Sequence, residues 1–127
     1  MKTRLLALGL MFVGAAAAAQ DDASVTHLPD LHGDRKPLNT VVPLYPEKAR
    51  RQRLEGEVEV CFHVDREGQT SRVRVRNSTH RIFEKPAILA ARASTFQPLA
   101  PGNRLSGIKT CRTFRFRLLP VAIEPAL

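Results

Sequence analysis

At 127 residues and a formal charge of +8, the chain has room for one domain and little else. A basic surface suits an anionic partner such as anionic lipid, peptidoglycan or an acidic protein, or simply keeps the protein soluble. The basic residues are spread among strand positions and not gathered in an arm or tail, which speaks against nucleic acid.

Met1 to Ala19 has the three parts of a secretory signal: Lys2 and Arg4, an apolar stretch from Leu5 to Val13, and the small-residue run Ala15–Ala19. The uncharged stretch Leu5–Ala19 is 15 residues, whereas a spanning helix needs about 20. Cleavage after Ala19 is therefore expected, giving an exported protein with no membrane span. An uncleaved inner-membrane anchor is the alternative. Removing Lys2 and Arg4 lowers the formal charge from +8 to +6.

Residues 20–40 carry Asp21, Asp22, Asp30, Asp34, Pro29, Pro37 and Gly33 with no periodicity, so a flexible lead-in is expected. A domain follows over residues 41–119, and residues 120–127 form an apolar tail broken by Pro120 and Pro125. Tyr45-Pro46 opens a first helix with Ala49 and Leu54 inward, and Gly56 is placed to stop it. From Glu57 to Asp65 the pattern alternates, with Val58, Val60, Phe62 and Val64 on one face and Glu57, Glu59, Cys61 and His63 on the other. Asp65–Gly68 is a turn that needs positive φ at the glycine, and Thr70–Arg76 alternates again with Val73 and Val75 inward.

Ile82, Phe83, Ala87, Leu89, Ala90 and Ala93 support a second helix over about 81–93, with Pro86 tolerable near its first turn. A third strand runs from about Ile108 to Leu118, with Ile108, Thr110, Phe114, Phe116 and Leu118 inward. Arg112 falls on the same parity, so the strand is expected to leave the core or bulge there. The order helix, strand, strand, helix, strand gives an α+β fold, with two helices on one face of a three-stranded antiparallel sheet.

Two cysteines in an exported chain suggest one disulfide. Cys61 and Cys111 both sit at outward parity, so both thiols project from the helix-free face. The rival use of that face is a zinc or copper site built from Cys61, His63 and Cys111, which lacks a fourth ligand and loses two donors on oxidation. His27 and His32 could help hold a metal ion but read more simply as solvated linker residues. No Cys-x-x-Cys, Gly-x-Ser-x-Gly or phosphate-binding glycine loop is present, and Ser71, Ser78 and Ser106 have no spaced His and Asp. No enzyme activity, cofactor or resident metal is expected.

The succession Pro43-Leu-Tyr-Pro-Glu-Lys-Ala49, Gly56-Glu-Val-Glu-Val-Cys-Phe-His-Val-Asp65, Gly68, Ser78, Phe83, Phe96-Gln-Pro98 and Thr113-Phe-Arg-Phe-Arg-Leu118 resembles the C-terminal domain of TonB-type energy transducers. The resemblance covers roughly the last two-thirds of the chain. It implies a periplasmic domain of Gram-negative bacteria that grips a peptide or partner protein and does no chemistry. It implies that the first and third strands are neighbours, so Cys61–Cys111 is a cross-strand bridge. It implies that an extended segment of an outer-membrane TonB-dependent receptor, or another envelope protein, adds beside the last strand.

The candidate edge is Thr110 to Arg117, with Thr110, Arg112, Thr113, Arg115 and Arg117 as contacts and the arginines meeting acidic neighbours. Tyr45 is a further contact candidate. Without partners, the same arginines protect the edge from aggregation. The lead-in does not resemble the proline-rich spacer of such transducers, and a cleaved signal removes the helix that reaches their motor. That would leave an accessory, a decoy or half of a split system. The rival class is a scaffold that dimerises edge to edge or attaches to peptidoglycan.

Overall fold

The computed structural model describes residues 9, 22–28, 30 and 33–119. The expected 1–19 signal (Gly9 apart), His32 and the 120–127 tail lie outside them. In chain order the elements are β1 (Asp22–His27), β2 (Pro37–Asn39), α1 (Glu47–Arg51), β3 (Gly56–Val64), β4 (Thr70–Ser78), α2 (Glu84–Ala93), β5 (Thr95–Phe96) and β6 (Thr110–Leu119). The class is α+β with an antiparallel sheet, as expected, but the sheet has four strands in the order β1-β6-β3-β4. The expected three-stranded sheet gains its extra member from the lead-in. Among the described residues no helix is long and apolar enough to cross a membrane.

Alternation decides β3. Val58, Val60, Phe62 and Val64 are buried, while the residues between them are half-exposed. Helices α1 and α2 send Ala49, and Ala87, Ala90 and Ala91, into the same core, where small side chains let the helices lie close to the sheet. Phe83 stacks on Phe116 at 4.4 Å between ring centres, and Tyr45 meets both rings edge-on at 5.7 and 5.6 Å. Leu89 and Ile108, expected inside, are exposed, because α2 turns Ala91 inward and β6 starts only at Thr110.

Of the two glycines given a role from the sequence, one acts as expected. Gly68 has φ +89° in the β3–β4 turn, and a Cβ there would lie 2.0 Å from the Phe96 carbonyl oxygen. Gly56 does not stop α1. The helix ends at Arg51, Arg53 takes the left-handed conformation (φ 53°), and the Leu54 amide donates to the Ala49 carbonyl. Gly56 instead opens β3, where a Cβ would stand 2.2 Å from the Thr79 hydroxyl and 2.9 Å from the Phe83 ring.

The lead-in expected to be flexible is bound along its described length. β1 pairs with β6 from Asp22↔Leu119 to His27↔Phe114, and β2 pairs with β5. Arg35 donates to the Gln97 and Asp65 carbonyls, at 2.6 and 3.0 Å, tying this segment to the β3–β4 turn.

Arg112 explains why. Neither a bulge nor a departure from the core occurs there, since β6 runs in unbroken register past Val60↔Arg112. The guanidinium points inward, is fully buried, and meets both oxygens of Asp30, with Nη2–Oδ2 at 2.7 Å. Its remaining nitrogen donates to Ser94 Oγ at 3.3 Å. The same hydroxyl accepts from the Val41 amide (3.0 Å) and donates to the Ala90 carbonyl (2.8 Å). The Phe96 and Phe62 rings lie 5.4 and 6.0 Å from the guanidinium carbon, adding a cation–π contact.

A buried arginine without its carboxylate is an uncompensated charge, which costs about 3–5 kcal/mol. Asp30→Ala should therefore lower the unfolding free energy by about that amount in denaturant melts. The double variant Asp30→Ala/Arg112→Met should recover most of the loss, because no charge is then left behind.

Candidate functional site: the edge of β6 and the Tyr45 groove

β6 was expected to be the open edge, and it is not. β3 holds one side of it and β1 the other, so the sheet's outer strands are β1 and β4. The residues expected to meet a partner are distributed accordingly. Thr110 is buried beneath Gly33, whose position leaves 3.0 Å between a built Cβ and the threonine side chain. Arg112 faces the core and is unavailable to a surface partner. Thr113 lies half-buried opposite Glu59, and its carbonyl accepts the Leu28 amide at 2.9 Å.

Arg115 and Arg117 do project onto the helix-free face, half-exposed, and are already engaged. Arg115 Nε lies 2.7 Å from Glu57, and Arg117 reaches Glu55 at 3.5 Å and Glu57 at 3.6 Å. Exposed pairs of this kind contribute only about 0–1 kcal/mol, so they orient the arginines more than they stabilise the fold.

Cys61 and Cys111 stand directly opposite on β3 and β6 and are joined as a disulfide. Closing a loop with a sequence separation of 50 is worth about 4 kcal/mol on the chain-entropy account. The bond also bears on the metal reading. Glu59, Cys61 and Cys111 form the one cluster of potential metal donors among the described residues, but both of its sulfurs are committed to each other. His63 is no part of that cluster, and His27 lies exposed on β1.

Tyr45 sits at the other surface of note. Residues 41–46 run beside α2 and leave an apolar groove of about 620 Å³ against Ile82, Pro86 and Leu89. Leu44 (85% exposed) and Leu89 (53%) crown it. Within that groove the tyrosine is first of all a fold element, because its hydroxyl donates to the Leu54 carbonyl while its ring packs on Phe83 and Phe116.

The family described as Gram-negative bacterial TonB protein C-terminal matches residues 41–118. The chain belongs to that family. Protein TonB of Pseudomonas aeruginosa is 28% identical over 86 residues, which is 67% of this chain and 25% of that protein. The chain therefore spans about a quarter of that curated relative's length. The solution NMR structure of the Pseudomonas aeruginosa TonB C-terminal domain superposes with a TM-score of 0.56 at 28% identity, covering 67% of this chain and 87% of that one. The matched TonB segment begins at residue 41, so β1 and β2 lie ahead of it.

β1 and Asp30 were the functional surprises. The signal for Asp30 was present, since inward parity at Arg112 required a buried anion from somewhere. The signal for β1 was a short Ala-Ser-Val-Thr alternation too brief to stand out.

Burial raises the Tyr45 pKa above 10, and Glu55 adds to the rise while Arg117 opposes it. A raised value favours the neutral phenol in the folded state. Its stabilisation is thus complete below pH 10 and is lost as pH climbs through the folded-state value. With one Tyr and no Trp in the chain, tyrosinate absorbance should report this group alone. The midpoint should lie above that of the unfolded chain, and Tyr45→Phe should abolish this part of the alkaline loss of stability.

Proposed function

We propose that this domain is a protein-binding module of the Gram-negative envelope that captures an extended strand by β-augmentation. Its first partner would be an outer-membrane TonB-dependent receptor, in the service of transport. Family membership over residues 41–118 carries the reading. The architecture supports it, because an antiparallel sheet offers main-chain donors and acceptors in a row and an added strand needs little else for affinity. The half-exposed Arg115 and Arg117 supply cations for acidic residues on the incoming strand.

The location follows from the same reading. With Met1–Ala19 removed as a signal, the protein acts in the periplasm, where the Cys61–Cys111 bond is at home. It then works as a binding module and not as a catalyst. Coupling to proton-motive force would fall to a membrane-anchored partner.

The test is a titration of the oxidised protein with peptides spanning the periplasmic N-terminal segments of the TonB-dependent receptors encoded in the same genome. Micromolar binding, with amide shifts concentrated along an edge of the sheet, is the expected result. A stable dimer with no affinity for any of these peptides would contradict it and favour the scaffold reading.

A further inference from the structure

Strand capture beside β6 meets an obstacle, because that edge already holds β1. The occupant is lightly held. Of its residues, Val25 packs on the core, Ala23 and Ser24 are half-buried, and Thr26 and His27 are exposed. β6 does not depend on it. Phe114 and Phe116 are paired with Val58 and Gly56 of β3, and Phe116 stacks on Phe83. The anchor of the lead-in lies beyond the strand, at Leu28 N–H to the Thr113 carbonyl and at Asp30 on Arg112. Residues 22–27 can therefore peel away while Leu28 and Asp30 stay in place.

The register also shows what fits the edge. Ala23 faces Leu118 and Val25 faces Phe116 on the core side, while Ser24 and Thr26 face Arg117 and Arg115 on the helix-free side. Arg115 reaches the Glu57 carboxylate and Arg117 those of Glu55 and Glu57, whereas the β1 residues paired with them are the hydroxyl-bearing Thr26 and Ser24. A carboxylate at either hydroxyl position would add an ion pair that β1 lacks.

We propose that Asp22–His27 is a resident strand occupying the partner's site, and that binding proceeds by strand exchange. The incoming segment is extended and antiparallel to β6. It carries small aliphatic side chains towards Leu118 and Phe116 and acidic ones over Arg117 and Arg115. Until it arrives, β1 covers an edge that would otherwise template aggregation. This rests on the strand-capture reading above and adds where capture occurs and what chemistry is selected.

The probe is a fluorescent peptide copying residues 22–27 with glutamate in place of Ser24 and Thr26, titrated into the oxidised full chain and its Val25→Asp variant. The variant should bind at least tenfold more tightly, because its resident strand is loosened. In the unaltered chain, peptide binding should strip hydrogen-exchange protection from residues 22–27 while residue 28 and β3 keep theirs. That second readout stands even if the variant folds poorly. Peptide binding that leaves 22–27 protected overturns exchange and moves capture to the outer edge of β1 or β4. A variant that dimerises instead of taking peptide gives the vacated edge to a second copy and overturns the partner assignment. If receptor peptides bind and this probe does not, exchange on this chemistry is wrong. If neither binds, strand capture itself fails.

Discussion

A single buried ion pair organises this domain. Arg112 faces inward on β6, against two phenylalanine rings and with no access to water, so the fold must bring it an anion or lose stability. Asp30 is that anion, and it comes from outside the segment that matches the TonB C-terminal family. With Asp30 on Arg112, the Leu28 amide meets the Thr113 carbonyl, and this directs the strand before it onto β6. Residues 22–28 lie along β6, and the chain beyond Asp30 passes over Thr110 and into β2. Ser94 closes the arrangement by using its one donor and accepting two hydrogen bonds, which joins the end of α2 to β6 and to Val41.

The two faces of the sheet divide the remaining work. One is apolar and covered by helices, with Phe83, Phe116 and Tyr45 forming a three-ring contact near the start of β3. The other carries the disulfide and the half-exposed Arg115–Glu57 and Arg117–Glu55 pairs. The cross-strand bridge and most of the sheet's core side chains thus lie on β3 and β6, and β1 adds Val25 to them. On the strand-exchange proposal, the element that moves is the one that contributes least to the core.

What was legible in the sequence followed period-two alternation and turn chemistry. Val58 to Val64, Phe114 to Leu118, Gly68 and the outward parity of Cys61 and Cys111 all lie where the pattern puts them. The strand carrying the candidate site was found as well, but its neighbour was not. β1 escaped because its inward residues are Ala23 and Val25, small side chains in a run of six, and because its register depends on a contact 82 residues away in sequence. The same gap produced the error at Arg112. An inward arginine can leave the core or be paired in it, and only the position of Asp30 decides between them. Arg53 shows a local version of the problem, since a left-handed arginine ended α1 before the glycine that was expected to do so.

The most direct measurement is the side-chain N–H spectrum of the arginines in the oxidised protein at mildly alkaline pH. Exposed guanidinium protons exchange with water too fast to be seen there, whereas a buried, bidentate Arg112 should give a persistent Nε–H signal with a cross-peak to the Asp30 region. Loss of that signal in Asp30→Asn would complete the assignment. If no arginine Nε–H survives in the unaltered protein, Arg112 is not locked by Asp30, and the placement of β1 on β6 loses its physical basis.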